Sequence, residues 1–240
     1  MTDDDLLAEQ RAFYRARAPE YDEWWQRRGR YDRGGDADRI EWNREVDVVE
    51  AALAAFAPHG DVLELAGGTG WWTERLSRTA DRLTVVDASP ETLALNRERV
   101  QRPDVDYVVA DLFKWRPARH YDVVFFSFWL SHVPRTRFDE FWSLVRSGLA
   151  PEGRVFLIDS RDDPVPAPAV PDPIVVEYGT DLHRRRLNDG SEYRVVKVLY
   201  EPDELQGLME RDGWRAVLDG TRRFIFGSAR RAEPEGSAAR

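Results

Sequence analysis

The sequence predicts an α/β protein with a doubly wound, mostly parallel sheet and helices on both faces. Three observations carry that expectation. Between residues 62 and 158, short β-branched runs alternate with helical segments, the pattern of a parallel sheet with crossover helices. A glycine-rich turn, Ala66-Gly67-Gly68-Thr69-Gly70, joins the first run to a helix. Acidic residues then close the second run, at Asp87, and follow the third, at Asp111.

The elements are expected in this order. Residues 4–28 read as helical, interrupted near Pro19, and form an N-terminal cap with the turn that ends at 36. Residues 37–56 place Ile40, Val46, Val49, Leu53 and Phe56 at helical spacing, and Pro58-His59-Gly60 stops them. Strands are expected at 62–65, 83–86, 105–109, 123–126 and 154–158, with helices at 71–78, 90–100 and 137–149. Ser89-Pro90 suits a helix start, serine as cap and proline in the first turn. Residues 112–120 are too short and proline-interrupted for a helix.

The pattern changes after Asp159. Five prolines between 161 and 173 predict an extended loop. Residues 181–187 and 192–199 flank Asn188-Asp189-Gly190-Ser191 and read as a β-hairpin, so 161–200 is an insertion. A helix at 202–212 and strands at 214–218 and 224–227 complete one domain over 1–230, and 231–240 reads as a disordered tail.

Composition narrows the function. The 240 residues contain no cysteine, which removes thiolate chemistry and cysteine-held metals. The four histidines, 59, 120, 132 and 183, show no metal-ligand spacing, so no metal is expected. A net charge of −9 argues against a nucleic-acid partner, and Arg184-Arg185-Arg186 reads as a solvated strand face. No long apolar run and no signal-like start are present, so a cytoplasmic protein without membrane attachment is expected.

The glycine turn lets a ligand approach backbone at the carboxyl edge of the sheet. A dinucleotide fingerprint would need a small residue where Thr73 stands behind Trp71 and Trp72, and a P-loop would need a lysine. Glu64, at the end of the first strand, would repel a pyrophosphate but can anchor an ammonium group. Asp87 can accept ribose hydroxyls, and Asp111 can accept an adenine amino group. S-adenosylmethionine (SAM) satisfies all three carboxylates.

With Tyr121-Asp122-Val123-Val124, these motifs resemble those of the class I SAM-dependent methyltransferases, over residues 37–159 and again over 202–229. Ala66 stands where that family often has glycine. The resemblance implies a seven-stranded sheet whose last strand is antiparallel. It implies SAM as methyl donor and S-adenosylhomocysteine (SAH) as product. Cofactor contacts are expected at Tyr21, Glu64, Ala66, Gly67, Gly68, Gly70, Trp72, Asp87, Ala88, Asp111, Leu112 and Ser127. Tyr14, Trp25, Phe128 and Trp129 are expected to meet the acceptor, and His132 to serve as general base or to shape the pocket.

The tryptophan-rich surroundings suggest an oxygen or nitrogen of a small aromatic or heterocyclic acceptor. Carbon methylation of a quinone-like ring, or SAM binding without catalysis, are the alternatives. The insertion is expected to cover the acceptor or to build a homodimer interface.

Overall fold

The computed structural model describes residues 2–32, 34–161, 175–178 and 181–232. Its centre is a seven-stranded sheet. The strands are β1 (Asp61–Leu65), β2 (Arg82–Asp87), β3 (Asp106–Val109), β4 (Tyr121–Ser127), β5 (Leu149–Ser160), β9 (Trp214–Gly220) and β10 (Phe224–Arg231), in the order β3-β2-β1-β4-β5-β10-β9. The neighbours among β1 to β5 pair in parallel, and β10 runs antiparallel between β5 and β9. The expected sheet and its antiparallel last strand are therefore present.

Alternation along the strands sends side chains to two cores. Leu63 and Leu65 of β1 and Val124 and Phe126 of β4 pack with Phe141, Trp142 and Val145 of α6 (Phe138–Gly148). Val62, Val123 and Phe125 face the other way, toward Val49 and Leu53 of α3 (Gly35–Phe56) and Trp72 and Leu76 of α4 (Trp71–Leu76). In α5 (Pro90–Val100), Ser89 accepts the Thr92 amide at 3.1 Å, as its sequence anticipates. Helix α7 (Pro202–Arg211) buries Leu205 and Met209 against the first core.

The N-terminal cap consists of α1 (Asp3–Arg17), a 3-10 turn at Ala18–Glu20 that contains Pro19, and α2 (Tyr21–Trp25). Thr2 and Asp5 close a reciprocal capping box at its start. The hairpin forms as β7 (Leu182–Arg186) and β8 (Glu192–Val196), and a further strand, β6 (Val175–Tyr178), makes it a three-stranded sheet. The expected loop at 161–173 lies, beyond Arg161, outside the described residues. The tail boundary moves: Arg231 still belongs to β10 and donates to the carbonyls of Arg146 and Leu149. Residues 233–240 lie outside the described residues.

Candidate active site

Sheet order reverses between β1 and β4, and the loops beyond their carboxyl ends open a crevice there. The cap closes it into a cavity of about 790 Å³, open mouth included. Ala66, Gly68, Asp87, Ala88, Asp111 and Leu112 line one side. Ser127, Phe128, Trp129 and His132 contribute the loop after β4, and Tyr14 and Tyr21 come from the cap.

The glycine loop is shaped by its neighbours. A Cβ on Gly67 would lie 2.3 Å from Val85, and one on Gly70, at φ +91°, would meet Asn96 at 2.8 Å. Gly68, at φ +54°, has nothing nearer than 4.0 Å, so its backbone is open to a ligand. Asn96 donates to the carbonyls of Gly67 and Gly68 at 3.2 Å and to the Thr73 hydroxyl at 2.7 Å, pinning the loop from beneath.

Asp87 sits at the cavity wall with both oxygens engaged. It accepts the Gly68 amide at 2.9 Å, the Ser89 amide at 2.8 Å and the Thr92 hydroxyl at 3.2 Å. Burial raises its pKa against those donors. These donors leave Oδ2 the freer oxygen, able to accept a ribose hydroxyl. Asp111 accepts the Phe113 amide and pairs with Arg11 of the cap at 3.1 Å. Glu64 lies beneath the loop rather than in the cavity lining. Burial pushes its carboxyl up to about 8, and its Oε2 has no hydrogen-bond partner.

Gly67 and Gly70 likewise shape the loop without lining the cavity, and neither Trp72 nor Trp25 reaches it. Trp25 stacks on Trp71 at 5.1 Å and meets Trp42, Trp72 and Phe128 edge-on. Among these rings Trp25 is left only 4% exposed. Sequence reading missed Gln10, Arg11, Ser89, Thr92 and Phe113, which also line the cavity. Gln10 and Arg11 fall one helical turn before Tyr14, and that spacing was the available signal.

His132 is 3% exposed and bridges two elements. Its Nδ1 lies 2.6 Å from the Val196 carbonyl, and its Nε2 lies 2.6 Å from the Tyr14 hydroxyl. A carbonyl can only accept, so Nδ1 carries the proton and Nε2 accepts from Tyr14. Burial lowers the His132 pKa well below its usual value, and Lys197, Arg185 and Arg17 lower it further.

Those three cations form a cluster that the sequence did not disclose. Lys197 donates to the hydroxyls of Ser131 at 2.8 Å and Ser160 at 3.1 Å and lies 3.9 Å from Asp159. Burial brings its pKa down to about 8. Arg17, 5% exposed, donates to the Tyr31 hydroxyl and stands over the Tyr21 ring at 4.7 Å. In the basic run, Arg184 and Arg186 are exposed and pair with Glu192, whereas Arg185 is half-buried. The Nε atoms of Arg17 and Arg185 have no hydrogen-bond partner, and neither arginine has a carboxylate partner among the described residues.

Among the described residues there is no group of three or more His, Asp or Glu that could hold a metal, and no helix is long and apolar enough to cross a membrane.

Comparison with known proteins agrees with this geometry. Residues 62–153 match the model of a methyltransferase domain. A solved complex of DhpI with SAM and HEP is 37% identical, with 96% of this chain and 100% of that one covered and a TM-score of 0.78. A DhpI–SAH complex is 36% identical over 95% and 97% of the two chains, TM-score 0.76. The chain belongs to the SAM-dependent methyltransferases, and SAM is its methyl donor. Among curated proteins, nodulation protein S of Rhizobium tropici is 28% identical over 131 residues, 53% of this chain. That match spans 54% of the relative's own length, and a second nodulation protein S, from Sinorhizobium fredii, is matched over 41% of its length.

Proposed function

We propose that the protein transfers the SAM methyl group to a hydroxyl oxygen of a small molecule that also bears an anionic group. The observation that carries this reading is the hydrogen-bonded chain from Tyr14 through His132 to the Val196 carbonyl at the cavity wall. Tyr14 spends its proton on His132, so its oxygen offers lone pairs to a proton donor. A hydroxyl acceptor needs its proton removed. A neutral amine attacks without such help.

The anionic group is argued from charge. Among the described residues, Arg17, Arg185 and Lys197 stand against one nearby carboxylate, Asp159. Cations drawn out of water with no carboxylate partner are costly, and the carboxylate of SAM can offset only one of Arg17 and Arg185. A DhpI complex holds HEP together with SAM, which supports a second ligand beside the cofactor. Of the tryptophans that suggested an aromatic acceptor, Trp24, Trp25, Trp42, Trp71 and Trp72 pack on one another, while Trp129 lines the cavity.

In this reading Asp87 holds the ribose, Asp111 the adenine edge, and the open Gly68 backbone the neighbouring chain of the cofactor. Glu64 stands ready beneath the loop for the ammonium side. SAM supplies a methyl group made electrophilic by its sulfonium and leaves as SAH. The protein's part is to align the acceptor oxygen with that carbon and to exclude water. Methyl transfer from isotopically labelled SAM to matched pairs, each a small hydroxy acid and its neutral amide, tests the proposal. Methyl on the hydroxyl oxygen of the acids, with the amides at least about tenfold slower, is expected. Methyl on nitrogen or carbon, or equal rates for the amides, contradicts it.

A further inference from the structure

The Tyr14–His132 pair is well placed to remove a proton and badly placed to keep one. His132 is buried, and three cations, on α1, on β7 and just after β8, oppose a further positive charge there. The charged and titratable groups that face the pair are Tyr14, Arg17 and Tyr21 of the cap, Tyr31, Arg185 of β7, Lys197 after β8, and Asp159 of β5. Asp159 is the carboxylate among them, and it already serves Lys197 and the amides of Ser131 and Ser160. Arg17 and Arg185 are left to press on the pair from behind the wall that Tyr14 and Tyr21 present to the cavity.

An anion at that wall changes the balance. It offsets the charge that opposes an imidazolium at His132, and it does so when an acceptor is bound. We infer that Tyr14 Oη takes the acceptor's proton while passing its own to His132 Nε2, and that the acceptor's anionic group, held at the cavity wall in front of Arg17 and Arg185, switches this relay on. The inference rests on the hydroxy-acid reading above and adds to it a catalytic role for Tyr14 and a tuning role for Arg185.

The step balances. The acceptor O–H bond breaks and its proton joins Tyr14 Oη as the Tyr14 proton joins His132 Nε2. The acceptor oxygen bonds to the methyl carbon, and the carbon–sulfur bond breaks with its electron pair left on sulfur. The imidazolium keeps its Nδ1–H bond to the Val196 carbonyl and gives the Nε2 proton to water as product departs. A neutral look-alike of the acceptor would fill the cavity without arming the base, so discrimination falls on kcat more than on KM.

The test is imidazole NMR on protein carrying 13C-labelled histidine, in its SAH complex, with inorganic phosphate as the anion. Loss of one signal in His132→Gln assigns His132, and the exposed His59 and His120 serve as controls. Phosphate is expected to raise the His132 midpoint by about one pH unit. In Arg185→Gln the midpoint starts higher and phosphate moves it much less. Tyr14→Phe is expected to keep the titration yet lose roughly a hundredfold in kcat with little change in KM. A midpoint that phosphate leaves in place, an equal rise in Arg185→Gln, or an unchanged kcat in Tyr14→Phe overturns the inference. Methylation of hydroxy acids can still be found in that event, so the two readings fail separately.

Discussion

At Ala66 the backbone adopts φ +55°, a left-handed conformation that a Cβ disfavours by about 1–2 kcal/mol. Here the sequence departs from the glycine often found in this family, and the geometry explains why glycine suits the position. Phe128 is also left-handed, at φ +51°, and lines the same cavity, so strain gathers around the site. His132 carries a different kind of strain. The unfolded chain protonates it near pH 6.5, whereas the folded protein refuses that proton until well below 6.5. Acidification below pH 6.5 therefore favours the unfolded state, by about 1.4 kcal/mol per pH unit until the folded pKa is reached. Urea unfolding at pH 7, 6 and 5 should show a shallower loss in His132→Gln than in the parent protein, and parallel losses would refute the buried neutral imidazole. Asp87, Asp111 and His132 could be picked out by their register after strands. Arg17 and Lys197 could not, because nothing local separates a buried cation from a solvated one.

The cap helix is the element that turns a crevice into a cavity. Arg11 reaches Asp111, Arg15 lies 3.4 Å from Glu91, and Asp22 accepts from the Thr69 hydroxyl and pairs with Arg99. Its firmest tie is Gln10, buried at 2% exposure. The Gln10 amide donates to the His132 carbonyl and accepts from the Val196 amide, both at 3.0 Å. Gln10→Leu would strand two buried backbone groups, and a loss of about 3 kcal/mol is expected in denaturant unfolding. A loss under about 0.5 kcal/mol would mean that water replaces the amide freely. The helix and its break at Pro19 were legible from composition and proline chemistry. The hairpin was legible from its Asn-Asp-Gly-Ser turn. The third strand was not, although Val175-Val176 is a β-branched pair, because the prolines before it read as loop.

At the scale of the whole molecule, strand–helix alternation and the glycine turn were enough to specify the sheet and the edge where the candidate site opens. What the sequence could not specify is which long-range neighbours close the far wall. Tyr14 and His132 are 118 residues apart, and the cations behind them come from the cap and the inserted sheet. Packing, and not local pattern, brings these groups together. On this reading the cavity under the cap is the SAM site, with Asp87 as its anchor. Calorimetric titration of SAH into the parent protein, Asp87→Ala and His132→Gln measures it most directly. One SAH per chain is expected, weakened roughly 10- to 100-fold by Asp87→Ala through loss of charge-assisted hydrogen bonds and left nearly intact by His132→Gln. Equal affinity in the parent and Asp87→Ala would place the cofactor elsewhere and contradict the account.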